Sequence, residues 1–207
     1  SQAPQVPCLW YGLDAARAEV VPQNVVYQAL TTTFTVNDVC VTLHLPGRHN
    51  LENGLAAIAT AQALGVDTKA TATALTAVSG VPGRLERVDL GQAWSVIIDY
   101  AYEPVALARC LETLKLVPHK RLIHVLGSCG GGRDQARRPL LGAFAAKHAE
   151  IVIVTNEDPY DDDPEVIIQA IAAGAIKAGK RLGDNLLTIQ DRQTAITTAM
   201  RLAQPGD

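Results

Sequence analysis

The hydrophobic rhythm of the chain changes twice. Up to about residue 46, apolar and polar residues come in short runs: Val25-Val26-Tyr27, then Thr31 to Val36, then Val39-Cys40-Val41-Thr42-Leu43. Their β-branched and aromatic content predicts strands. Asn37-Asp38 predicts a turn between the last two, and Pro46-Gly47 ends the region. From Asn50 the period lengthens, with Leu51, Leu55, Ile58 and Ala59 at helical spacing until Gly65. Thr68 is placed to cap a second helix reaching about Val78. Gly80 and Pro82-Gly83 then read as a linker between a first domain, residues 1–82, and a second, 83–207.

From about Gly91 strands and helices alternate. Strand Trp94 to Ile98 leads to a helix opening at Pro104, a favoured first-turn residue. Strand Leu122 to Leu126 passes through a glycine loop to a helix over Leu140 to His148. Strand Ile151 to Val154 leads to a helix opening Asp163-Pro164-Glu165 with the Asp as cap, and Leu186 to Ile189 precedes a helix from Asp191. Apolar strands alternating with helices predict an α/β fold whose parallel sheet is covered on both faces. Ligands gather at the carboxyl ends of such strands, where Asp99, the glycine loop and Asn156 to Asp163 fall.

Composition narrows the function classes. The 207 residues are 48 % hydrophobic and 19 % charged, enough to build a core that rests on aliphatic side chains because aromatics are only 4 %. A net charge of −3 gives no general attraction to nucleic acid or to anionic lipid. No run approaches a membrane span, and the opening SQAPQVP is not a signal peptide. Cys8, Cys40, Cys110 and Cys129 form no CxxC pair and have no His at zinc spacing, so reduced thiols in a cytoplasmic protein are expected.

Several loops carry candidate chemistry. Gly127-Ser128-Cys129-Gly130-Gly131-Gly132 follows a strand and precedes a helix, as a phosphate loop does. The next residues are Arg133 and Asp134 rather than Lys and Ser or Thr, and an Asp beside phosphate is repulsive, so a phosphate loop is rejected. The turn either offers backbone N–H groups to another anion, such as a carboxylate, or is purely structural. Asn50 and Asn53 lie three apart at a helix start, on one side of the turn, and suit the donor and acceptor edge of adenine, although spacing alone favours Asn50 as an ordinary helix cap. Arg84 after Pro82-Gly83 suits phosphate, or pairs with Glu86. Asp99 can accept ribose hydroxyls or cap the turn towards Pro104. The acidic stretch Asp158-Pro159-Tyr160-Asp161-Asp162-Asp163 reads as a solvated loop or as a pocket rim for a cationic substrate. His119 and His124 read as structural, and no Ser-His-Asp, Cys-His or H-E-x-x-H signature supports hydrolysis. No residue receives a catalytic or metal-ligating role.

With these residues in view, the chain resembles the Mur ligases, and within them the UDP-N-acetylmuramoyl-tripeptide synthetase branch. The similarity runs from about Tyr11 to the C-terminus. It implies the end of a central ATPase domain, strands plus a helix pair, followed by a Rossmann-like amino-acid-binding domain. The family's adenine segment is matched by Gly47-Arg48-His49-Asn50-Leu51-Glu52-Asn53, which gives Asn50 and Asn53 adenine contacts. Gly83-Arg84-Leu85-Glu86 matches the segment whose Arg approaches the γ-phosphate. Asp99 to Pro104 matches Asp-Tyr-Ala-His-x-Pro, giving Asp99 the ribose role, with Tyr102 standing where the family has a nucleotide-contacting His. Gly132-Arg133-Asp134 matches the end of the family's glycine loop and Arg137-Arg138-Pro139 its Lys-Arg-Pro segment, with Arg133 reading the carboxylate of the incoming amino acid. Glu157-Asp158-Pro159-Tyr160 occupies the specificity loop, where diaminopimelate-adding members carry Asp-Asn-Pro-Arg. Loss of that Arg removes a bidentate carboxylate clamp, which disfavours diaminopimelate, and the acidic neighbours favour a basic side chain such as lysine.

The resemblance implies ATP and magnesium, a UDP-N-acetylmuramoyl peptide and an amino acid as ligands, and no nucleic acid or membrane partner. The family's Gly-Lys-Thr loop, its magnesium-binding acid and its UDP-binding domain have no counterpart in these residues and are expected in a preceding part of the same enzyme. The 207 residues alone are therefore expected not to turn over ATP. Two rivals remain: a non-catalytic module, and a folylpolyglutamate synthase, whose preference for a His near the Asn segment fits His49 while Asp99-Tyr100-Ala101 argues against it.

Overall fold

A computed structural model describes residues 8–207, so the part of the expected β region on residues 1–7 lies outside the described residues. The chain divides into two compact units: residues up to Glu86 together with Glu112–Val117, and Arg87–Leu111 together with Pro118–Asp207.

The first unit is built on an antiparallel sheet of β1 (Gln23–Tyr27), β2 (Thr32–Val36) and β3 (Val39–Leu43) in sequence order. Val36 pairs with Val39, so Asn37-Asp38 is a two-residue hairpin loop, and both residues have positive φ, 49° and 61°. That is the type I′ geometry Asn and Asp tolerate and whose twist suits a hairpin. Alternation along β2 and β3 sends Phe34, Val36, Val41 and Leu43 into one core with Leu51, Leu55, Ile58 and Ala59 of α1 (Arg48–Ala63). Gly54 permits the contact: a Cβ there would lie 2.9 Å from Leu43 Cδ1. Helix α2 (Thr68–Ala77) adds Ala72 to the same core. Its cap is Asp67 rather than the expected Thr68, because the longer-reaching carboxylate accepts from Lys69 and Ala70 N–H at 2.9 and 3.2 Å. Asn50 is likewise no cap: Gly47 holds that place and Asn50 lies inside the first turn.

Apart from Glu86 and the last turn of α3, the second unit contains β4 (Glu86–Val88), β5 (Val96–Ile98), α3 (Pro104–Leu114), β6 (Ile123–Leu126), α4 (Arg137–His148), β7 (Ile151–Val154), α5 (Pro164–Lys177), β8 (Leu186–Thr188) and α6 (Arg192–Leu202). Strands β6, β7 and β8 form a parallel sheet in that order. The period-2 pattern of β7 works as expected for a sheet covered on both faces. Val152 and Val154 join Ala145 of α4 and Ile168, Ile171 and Ala175 of α5, while Ile153 meets Ala195 and Ala199 of α6 on the other side. Helices α4 and α5 approach closely at two glycines, where a Cβ on Gly142 would lie 1.8 Å from Ile171 O and one on Gly174 2.0 Å from Pro139 O.

Two further expectations from the sequence do not hold. Strand β5 does not extend the parallel sheet but pairs with β4 in a separate two-stranded sheet. Three residues are too few to show which side is to be buried, so pairing is decided by tertiary context. Helix α4 starts at Arg137, not Leu140, because Pro139 is tolerated within a first turn.

Candidate functional site

On the first unit, the start of α1 carries both asparagines. Asn50 is buried, and its Nδ2 donates to Pro46 O at 2.9 Å, fixing the side chain against the chain's entry into the helix. Asn53, one turn on, donates through Nδ2 to Asn50 Oδ1 at 3.4 Å. The expected sharing of one face is therefore realised as a contact. Asn53 also borders a cleft of about 460 Å³ whose other walls are Tyr11, Gly12, Leu13, Asp14, Arg48 and Glu52. Arg48 and Glu52 pair across one turn at 3.2 Å, leaving the cleft mixed in charge. The residues from Tyr11 to Asp14 were not singled out as site residues, since nothing in their spacing ties them to the helix some 40 residues on.

Arg84 is exposed at the end of a tight turn in which its N–H donates to Val81 O at 3.0 Å. Pro82 and Gly83, with φ of 69° at the glycine, suit the central positions of such a turn. The carboxylate of Glu86 accepts from Gly83 N–H at 2.8 Å.

On the second unit, Asp99 follows β5 and its Oδ1 accepts from Ala101 N–H at 2.7 Å, the turn-capping role. Tyr102 packs edge-on against Tyr100, with ring centroids 5.8 Å apart. The Arg137 guanidinium lies 5.0 Å over the Tyr102 ring while Nη1 donates to Glu103 at 2.5 Å. The tyrosine that departs from the family pattern thus has one face against a cation.

The loops after β6 and β7 are brought together. Gly130 N–H donates to Asp158 O at 2.9 Å, and Arg133 N–H to Gly130 O at 3.4 Å. The glycine turn therefore folds onto the neighbouring loop's carbonyl. Arg133 is exposed on this turn; Glu157 is half-buried, while Asp158 and Tyr160 are exposed. Burial raises the Glu157 pKa, Arg192 pulls it back, Asp158 adds to the rise and Arg137 opposes it. Arg192, at the start of α6, donates to Asn156 O at 3.1 Å. The expected residues Arg133, Glu157, Asp158 and Tyr160 thus share one edge of the parallel sheet, beyond the carboxyl ends of its strands.

Sequence reasoning gave Arg137 and Arg138 a motif match but no role. Both are buried, 5 % and 3 % exposed, and Arg138 Nη2 donates to Asp162 at 3.0 Å. Their signal was available in the pattern, since they stand one turn before Leu141 and Gly142 and two turns before Ala145 on the buried stripe of α4. Arg137 Nε, Arg138 Nε and Ser128 Oγ are buried donors without a partner in the structure. Among the described residues no group of three His, Cys, Asp or Glu side chains is placed to hold a metal ion. Nor is any helix among them long and apolar enough to cross a membrane.

Comparison with known proteins adds the family. Residues 83–207 match the Mur ligase, glutamate ligase domain. A UDP-N-acetylmuramoyl-L-alanyl-D-glutamate--2,6-diaminopimelate ligase of Syntrophomonas wolfei is 38 % identical over all of this chain and 42 % of its own length. A UDP-N-acetylmuramyl-tripeptide synthetase of a Roseiflexus species is 44 % identical over 80 % of this chain and 32 % of its own. A solved UDP-N-acetylmuramoyl-L-alanyl-D-glutamate--2,6-diaminopimelate ligase superposes with a TM-score of 0.56 at 32 % identity, covering 96 % of this chain and 40 % of that one. The chain thus spans well under half the length of these relatives. With a domain match over more than half its residues and a relative 38 % identical along its whole length, the chain belongs to the Mur ligase family.

Proposed function

We propose that this chain supplies the adenine-facing and amino-acid-facing parts of an ATP-dependent ligase that adds an amino acid to a UDP-N-acetylmuramoyl peptide in the cytoplasm. The observation that carries the reading is the hydrogen-bonded pair Asn50 and Asn53 at the edge of a cleft. Asn53 spends one of its two amide N–H groups on Asn50, which leaves the other N–H and the carbonyl oxygen for the donor and acceptor edge of adenine. Arg84 serves the γ-phosphate, Asp99 the ribose hydroxyls, and Tyr102 takes the place of the family's nucleotide-contacting His.

In the reaction, a carboxylate oxygen of the peptide attacks the γ-phosphorus of ATP and ADP leaves, giving an acyl phosphate. The neutral amine of the incoming amino acid then attacks the acyl carbon, and inorganic phosphate departs as the amide forms and a proton is lost. Arg133 holds the carboxylate of that amino acid by charge-assisted hydrogen bonds. Magnesium, when bound, supplies charge neutralisation for the transferring phosphoryl group.

The amino acid is proposed to have a cationic side chain such as lysine. Tyr160 stands where a diaminopimelate clamp needs Arg, and the carboxylates of Glu157 and Asp158 stand beside it. Glu157 is costly to ionise where it lies, and an incoming ammonium would offset that cost. Calorimetry of the 207-residue chain with ATP, lysine and diaminopimelate tests the reading. Weak binding of ATP and of lysine, with lysine preferred over diaminopimelate, is expected. Binding of neither ATP nor any amino acid identifies a non-catalytic module instead. A phosphate-release assay with magnesium-ATP should show no turnover by the chain alone; turnover above that of Arg84→Ala would contradict this part.

A further inference from the structure

The glycine loop at 127–132 is rich in glycine for a reason that has nothing to do with phosphate. A Cβ on Gly127 would lie 2.8 Å from Thr155 O and from Glu157 Cβ. One on Gly130 would lie 2.0 Å from Pro159 O, and one on Gly131 2.9 Å from the Tyr160 ring. Three glycines therefore meet three successive parts of the acidic loop at distances that no side chain permits. The Gly130 N–H to Asp158 O bond, 2.9 Å, adds a backbone link at the centre of the seat.

At the far end the seat is closed by charge. Arg138 is 3 % exposed, and its Nη2 reaches Asp162 Oδ2 at 3.0 Å and Cys129 O at 3.4 Å, so one guanidinium touches both loops. The acidic loop is also tethered at each end. Thr155 N–H donates to Leu126 O at 2.9 Å, and Asp163 caps α5 by accepting from Glu165 N–H at 2.9 Å. Between these tethers Tyr160 is held at φ 50°, a left-handed conformation a tyrosine takes up only when its surroundings impose it.

We propose that Arg138 and Asp162 are positioning residues for the amino-acid subsite. By locking the acidic loop onto its glycine seat, they present Glu157, Asp158 and Tyr160 as a preformed wall rather than as a mobile acidic loop. This rests on the reading that this edge of the sheet receives the amino acid. Selectivity among amino acids is then set by the backbone path of the seated loop as well as by the side chains that face the ligand. An arginine at position 138 matters for its reach, since Nη2 alone meets both Asp162 and Cys129 O, and the shorter side chain of a lysine keeps a charge but does not carry it that far.

The test uses Asp162→Asn, which keeps volume and removes the charge, and Arg138→Lys, which keeps charge and shortens the reach. Amide hydrogen exchange on the chain reads the lock directly. Both variants should speed exchange at Gly130 and across residues 158–162 at least tenfold, while the amides of β7 and α5 keep their rates. NMR titration with lysine should show an affinity at least tenfold weaker in both variants, with the response to ATP unchanged. Unchanged exchange in the two loops overturns the proposal whether or not the wild-type chain binds any ligand. Faster exchange with undiminished lysine affinity also overturns it, because the loops would then be locked for stability alone. If wild type binds no amino acid while the variants loosen the loops, the functional reading has failed and with it the positioning role.

Discussion

The two units hold their candidate residues by opposite means. In the first, Asn50 is neutral, buried and fixed by one amide–carbonyl hydrogen bond to Pro46, over an aliphatic core. In the second, the equivalent task falls to two buried arginines, each paired with a carboxylate that stays partly exposed. A neutral amide is cheap to bury once it is hydrogen-bonded, whereas a buried guanidinium is tolerable only while its charged partner stays in place. The first site should therefore be indifferent to pH and to single charge changes, and the second should not.

The largest effect comes where the units are alike. Leu55 and Ile171 are both fully buried in aliphatic cores, so Leu55→Ala and Ile171→Ala should each cost about 2–5 kcal/mol. Hydrogen exchange should place the first loss in α1 and the second in α5. A uniform loss over both units from either variant would show that the two cores do not stand apart.

Next comes pH. His124 on β6 is partly buried, with an enclosed Nδ1 that has no partner, and burial pulls its pKa down to about 4, with His148 adding to the fall. The unfolded chain then takes up a proton near pH 6.5 that the folded one refuses until about pH 4, so this group's effect is to lower stability as pH falls through that window. The loss is on the order of 3 kcal/mol. Urea melts of His124→Leu across the same range should lack that part of the slope. An identical slope in wild type and variant would show the ring does not matter.

A smaller effect tests the neutral site. Asn50→Ala should cost about 1 kcal/mol, equally at pH 5 and pH 8, and a strongly pH-dependent cost would contradict the description of Asn50 as held by neutral hydrogen bonds. Smallest in energy, though simple to read, is thiol labelling. Cys8 and Cys40 are exposed and should react first, while Cys110 is buried, with burial and then Asp99 pushing its thiol up to about 12. Rapid labelling of Cys110 in the native chain would show that α3 opens readily.

The sequence made legible whatever is written in local period and capping. Helix α5 begins where Asp163-Pro164-Glu165 said it would, because cap, proline and acidic first turn agree. The Asn37-Asp38 hairpin and the two-faced strand β7 were legible for the same reason. What escaped depends on meetings between distant residues. Arg138 and Asp162 lie 24 positions apart, and no spacing rule joins them. Sequence alone does not choose between anion site and structural turn for the glycine loop because glycine serves both: it frees φ, and it admits a neighbouring backbone. Only the position of the 157–162 loop shows the second use. Likewise Asp67 and Thr68 are both capping residues, and only geometry selected between them. The asparagine pair was legible as a shared helical face, but the opposite wall from Tyr11 to Asp14 was not.

The nucleotide reading depends above all on Asn50 and Asn53 forming the adenine subsite. NMR titration of the chain with ADP, following the side-chain amide signals of the two asparagines, puts that to the proof. Both pairs of signals should shift together and saturate, and Asn53→Ala should abolish the response while leaving the lysine response of the acidic loop intact. Asparagine signals that stay still while ADP moves resonances elsewhere would contradict it.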